Sequence, residues 1–92
     1  LKKDNAILKQ RARVYGDFTK SLRIVGKMWT ALLETHYQTR FAHDIPPHVA
    51  GAMMAGLKAY RACCPWDVDR DTYIDARNYL TGAEKSDERL RK

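Results

Sequence analysis

Five residues in the second half of the chain have types and spacings that can do chemistry. Lys58 and Arg61 are three apart, and Asp71, Asp75 and Asn78 follow at i, i+4 and i+7. On helices each set projects from a single face. Two carboxylates one turn apart can hold a Mg²⁺ ion together with water and phosphate oxygens. Two cations beside them would suit a phosphate-bearing ligand. The same residues equally suit a salt-bridge network that fixes the register of two helices, and both roles stay open at this level.

The elements that must position them are helical. The sequence predicts helices over about 5–14, 18–36, 47–64 and 71–83, with a junction at Tyr15, Gly16 and Asp17 and a charged tail over 84–92. Phe18, Leu22, Val25, Trp29, Leu32 and Leu33 recur at helical spacing, opposite Lys20, Arg23 and Lys27. Pro46 and Pro47 open the third predicted helix, which is apolar nearly all round, and Pro65 closes it. Its only charges are Lys58 and Arg61, so the expected partner is the acidic stripe of the next helix, with Asp75 foremost. Trp29, Leu32, Met53, Leu57 and Leu80 are the expected core. The fold class is all-α: a single domain over 1–83, built as a compact bundle of about four helices. An apolar helix with so few others to cover it points further to a homo-oligomer.

Composition narrows the function classes. Ninety-two residues with 45% hydrophobic and 30% charged residues make a globular chain, not a disordered one. No apolar run approaches the roughly 20 residues that span a bilayer. The net charge of +6 favours anionic partners: nucleotides, nucleic acid or an acidic protein. Cys63 and Cys64 are adjacent, which argues against a disulfide framework and for a reducing, cytoplasmic setting. His36, His43, His48 and the two cysteines match no common zinc spacing. Lys20, Arg23 and Lys27 form a basic stripe, either a solvated face or a contact for phosphate backbones. Asp17 caps a helix or, with Tyr15, touches a ligand at that helix's N-terminus.

An ordered set of motifs carries a resemblance. Arg11-x-x-x-Tyr15-Gly16-Asp17, then Trp29, then Met53-Met54-x-x-Leu57-Lys58-x-x-Arg61, then Asp71-x-Tyr73-Ile74-Asp75-x-x-Asn78-Tyr79 resembles a family of short phage proteins. The pattern is also similar to the nucleotide-modification-associated domain of phages and bacteria, and more loosely to MazG-like all-α nucleotide pyrophosphohydrolases. The resemblance implies a helical protein acting in nucleotide or DNA metabolism in the cytoplasm of a bacterial host. MazG-like enzymes bind Mg²⁺ through a Glu-Glu-x-x-Glu helix, which this chain lacks; only Asp71 and Asp75 echo their second acidic helix. The expected function is therefore an accessory protein that binds nucleotides rather than a catalyst. The alternatives are a phage-encoded inhibitor of a host protein and a non-specific nucleic-acid binder.

Overall fold

A computed structural model of the chain describes the backbone of residues 2–91 and the side chains of residues 18–90. It contains α1 (Lys2–Tyr37), α2 (Pro47–Cys63), α3 (Asp71–Ser86) and a closing 3₁₀ turn (Glu88–Arg91), with no strand among the described residues. The all-helical class is the one the sequence predicts, but the number of helices differs. The break expected at Tyr15, Gly16 and Asp17 is absent, and α1 runs straight through it. One glycine costs a helix only about 0.5–1 kcal/mol, and no proline stands nearby to remove a backbone donor. At 1.5 Å per residue, α1 is about 54 Å long, which matches the longest dimension of the molecule, 54 × 39 × 21 Å.

Each helix ends for a local reason. Gln38 takes a left-handed conformation, φ 51°, and the Thr39 N–H donates to the Glu34 carbonyl at 3.2 Å. That wrap-around closes α1 and turns the chain back on itself. α2 begins at Pro47 behind Pro46, as its fixed φ favours. α3 continues past Gly82 and Ala83, where the sequence suggested its end, to Ser86. Gly82 serves packing, not termination.

α2 and α3 form an antiparallel hairpin, the most extensive contact in the chain, and α1 crosses its open end. Three glycines set how closely they meet. A Cβ at Gly82 would collide with the Phe18 ring; one at Gly51 would lie 2.9 Å from the Ala83 Cβ and 3.1 Å from Leu22; one at Gly26 would strike the Ile45 carbonyl. Phe18 also packs against Tyr79, with ring centroids 5.2 Å apart.

The buried centre is made of Leu22, Ala50, Ala55 and Ala83, with Thr30, Thr72, Ser86 and Asp87. This corrects the expected core. Trp29 is half-buried, while Leu32 is 64% exposed, Met53 47%, Leu57 48% and Leu80 55%. Two helices and one crossing helix offer no layer to cover them. The molecule is also more spread than expected: its radius of gyration is 15.7 Å, against about 12 Å for a compact chain of this length.

Gly82→Val should lower stability by about 1–3 kcal/mol, because the added methyls must displace the Phe18 ring. For a domain of this size that is a fall in Tm of roughly 4–20 °C, read by thermal melting.

Candidate functional site

The five residues singled out by spacing are not gathered into a cavity. Lys58 Nζ meets Asp75 Oδ2 at 3.2 Å, the ion pair expected across the hairpin. Arg61 turns instead to Asp67, Nε to Oδ2 at 3.5 Å, and its guanidinium lies 6.0 Å from the centre of the Trp66 ring. Asp67 has a side chain only 3% exposed. Its carboxylate also accepts from the Thr72 hydroxyl at 3.1 Å and from the Asp69 N–H at 3.1 Å. Asp67 therefore organises the turn into α3, a role the sequence reading missed. Asp71 is exposed, and its N–H donates to Asp69 Oδ1 at 2.9 Å. Asn78 is exposed on α3. The Lys58 ammonium pairs with Asp75 across the hairpin, a contact that fixes the register of α2 on α3. Among the described residues no group of three or more histidines, cysteines or carboxylates is placed to hold a metal ion. The side chains of Tyr15 and Asp17 lie outside the described residues.

A cavity of about 480 Å³ lies elsewhere, at the open end of the hairpin. It is built by the segment that returns from α1. Glu34 Oε2 accepts the Phe41 N–H at 2.8 Å. Further along, the buried Thr30 hydroxyl donates to the Gly26 carbonyl at 2.7 Å and accepts the Ile45 N–H at 2.8 Å. Gly26 leaves room for the Ile45 carbonyl. These contacts lay the segment back along α1, bringing His43, Asp44 and the two prolines to the turns that carry Arg23 and Lys27.

Three walls result. α1 contributes Arg23 and Lys27; the returning segment and the start of α2 contribute His43 to His48; the end of α3 contributes Ser86 to Arg89. The N-terminus of α2 reaches this cavity with no side-chain cap and no acidic residue in its first turn; the Val49 and Ala50 N–H groups both go to the Pro46 carbonyl and Pro47 has no N–H, so the backbone donor this end offers is the His48 N–H. Arg23 and Lys27 make no ion pair with any described residue. They come from the basic stripe the sequence predicts, and the third member, Lys20, is exposed outside the cavity. No spacing in the sequence joins His43 and His48 to them, or brings in Asp87 and Arg89, because the joining depends on the path of the return segment.

Asp87 is the most constrained charge in the cavity wall. Its carboxylate accepts Arg89 Nε at 2.9 Å and Nη2 at 2.7 Å, and also the Arg89 N–H at 3.1 Å. The Arg89 side chain holds the Asp87 carboxyl down from its ordinary 3.8 to about 2; burial works against this, while the Arg89 N–H, the Arg89 charge and a smaller contribution from His48 reinforce it. The same pairing raises the Arg89 guanidinium. Behind Asp87, the Ser86 hydroxyl donates to the Gly82 carbonyl at 2.7 Å and lies 2.9 Å from the Thr19 hydroxyl, which ties this wall to α1.

Two stability outcomes follow from these contacts. Asp75→Ala should cost less than about 1 kcal/mol, since the Asp75 side chain is 45% exposed and solvent screens the pair; urea titration of wild type and variant measures it. For Asp87, a depressed folded pKa means that stability is present above the ordinary value and lost as pH falls through about 2. The Tm gap between wild type and Arg89→Met should therefore be full near neutral pH, shrink below about pH 4 and close near pH 2. A gap that stays constant over that range would show that Arg89 acts through packing alone.

No curated protein and no solved structure matches the chain. A family model described as a domain of unknown function, DUF6378, matches residues 1–86. That span holds all three helices and the α1 and return-segment walls of the cavity, and it makes the chain a member of the DUF6378 family.

Proposed function

We propose that the protein is an accessory factor of phage type that binds a nucleotide in the cavity beside α1, as a binder rather than a catalyst. The observation that carries this reading is the convergence of Arg23, Lys27 and the open N-terminus of α2 on one cavity. Guanidinium, ammonium and a helix-end N–H such as that of His48 are groups that hold phosphate oxygens. The volume of about 480 Å³ falls in the usual range for small-ligand sites, about 300–1,000 Å³.

The rest of the lining suits the rest of a nucleotide. Asp87 and Arg89 neutralise each other, leaving Arg23 and Lys27 as cations and Asp44 and Glu88 as hydrogen-bond acceptors in the lining. Phosphate fits the first. Sugar hydroxyls and an amino-bearing base, which donate hydrogen bonds, fit the second. Ile45, Pro46 and Pro47 add apolar surface to the lining. The resemblance to nucleotide-associated phage proteins points the same way. Lys20, next along the stripe from Arg23 and Lys27, is what a nucleic-acid backbone would add, and that is the second reading.

A thermal-shift panel of nucleoside mono-, di- and triphosphates tests this. A ligand at a hundred times its Kd should stabilise the protein by about 2.7 kcal/mol, a rise in Tm of roughly 10 °C or more. Arg23→Gln combined with Lys27→Gln should weaken binding at least about tenfold, the worth of one charge-assisted hydrogen bond, while Lys58→Met leaves it unchanged. The nucleotide should be recovered intact. A panel with no response, together with salt-sensitive binding of duplex DNA, would replace this reading with the second one.

A further inference from the structure

Two of the chain's three histidines, His43 and His48, line the cavity, and nothing so far gives their rings a task. They reach it from either side of Pro46 and Pro47. His43 is exposed on the return segment, and His48 is half-buried in the first turn of α2. The third, His36, stands in the last turn of α1, outside the lining, with its ring 4.7 Å from that of Tyr37. Histidine is the side chain whose charge ordinarily changes between pH 5 and 8. Both lining histidines therefore add a variable charge to a hollow whose other charges are fixed at neutral pH.

Those fixed charges balance. α1 brings Arg23 and Lys27, the return segment brings Asp44, and the end of the chain brings Asp87, Glu88 and Arg89. That is three cations against three carboxylates, and Arg89 is already engaged by Asp87 through Nε and Nη2. A phosphate dianion entering the cavity brings two charges that this set does not match. The imidazoles are the groups of the lining that can supply them, one proton each. His48 already acts on the far wall: behind the hydrogen bond from Arg89, its charge is among the influences that lower the Asp87 carboxyl. An imidazolium at His48 also adds to the positive end of α2, and an anion in the cavity offsets that repulsion.

We propose that His43 and His48 are phosphate-binding residues of this cavity that take up protons as a nucleotide binds, so that pH sets the affinity. The inference rests on the nucleotide reading of the cavity. A dianion beside two imidazoles favours their charged forms. By linkage, a site that gains protons on binding holds its ligand most tightly below the imidazole range and loses affinity as pH rises through it. The charged ring also donates from both nitrogens, where the neutral ring donates from one. Arg23 and Lys27 stay charged throughout and supply the part of the affinity that does not vary with pH.

Calorimetric titration with AMP, ADP and ATP, at about pH 6 and about pH 8 and in two buffers of different ionisation enthalpy, counts the protons. The phosphates themselves titrate near pH 6, equally against every protein, so the readout is the difference between proteins. Wild type should take up about one proton more than His43→Gln combined with His48→Gln. Between the two pH values it should lose about tenfold more affinity than that variant, the worth of one charge-assisted hydrogen bond. His36→Gln should follow wild type. Should the double variant fail to fold, wild type alone decides by nuclear magnetic resonance. Adding the same nucleotides near neutral pH should move the His43 and His48 ring signals toward their protonated positions and leave those of His36 in place. Equal proton uptake by wild type and double variant, with nucleotide bound to both, would overturn the proposal and leave the nucleotide reading intact. His36 signals that move as far as the other two would do the same. No binding of any of the three nucleotides at either pH would overturn both.

Discussion

The structure depends on how closely α1 approaches the open end of the hairpin. That approach is limited by sterics at Gly51 and Gly82, as the return segment's approach to α1 is at Gly26; each faces an atom that a side chain would hit. Long apolar side chains do little of this work. The buried centre holds one leucine and three alanines, so the helices are held by backbone proximity and a few well-placed hydroxyls. Van der Waals attraction between surfaces this near falls off sharply with added separation. A core of small residues is therefore less tolerant of insertion than one of leucines.

The cavity is a by-product of the same approach. Because Gly26 admits the Ile45 carbonyl and Thr30 takes the Ile45 N–H, the return segment is laid along α1. Thr30 is satisfied in both directions, as donor to Gly26 and as acceptor from Ile45. A buried hydroxyl used fully is a specific anchor, since losing either partner leaves a polar group unsatisfied. The charges that define the site are ordinary surface residues. What is specific to this chain is their placement around one hollow.

Much of this was legible in the sequence, and the limits have physical causes. Helical periodicity revealed the all-helical class and placed α2 and α3 but split α1 in two, and the Pro46, Pro47 and Pro65 boundaries of α2 hold because proline constrains the backbone locally. The Lys58–Asp75 pair was legible because two cations on an apolar helix must find a partner and the next helix offers one acidic stripe. Tyr15, Gly16 and Asp17 misled because turn-forming residues set a preference that a continuous hydrogen-bond ladder overrides. Leu32, Met53 and Leu57 misled differently: apolar spacing states which faces seek burial, not which partner supplies it. The cavity was invisible because it joins residues more than sixty positions apart, Arg23 and Arg89, through a return segment of irregular backbone.

The 3₁₀ turn that follows α3 divides the molecule in an unexpected place. The match to the DUF6378 family model ends at residue 86, yet Asp87, Glu88 and Arg89 complete the cavity wall that Ser86 begins. The three helices with Arg23 and Lys27 thus lie inside the matched span, and most of the wall facing them lies in a short extension just past it. Asp87 and Arg89 fold that extension through contacts with each other, so it asks little of the helices behind it. A change confined to this turn would therefore reshape one wall of the cavity while leaving the three helices in place.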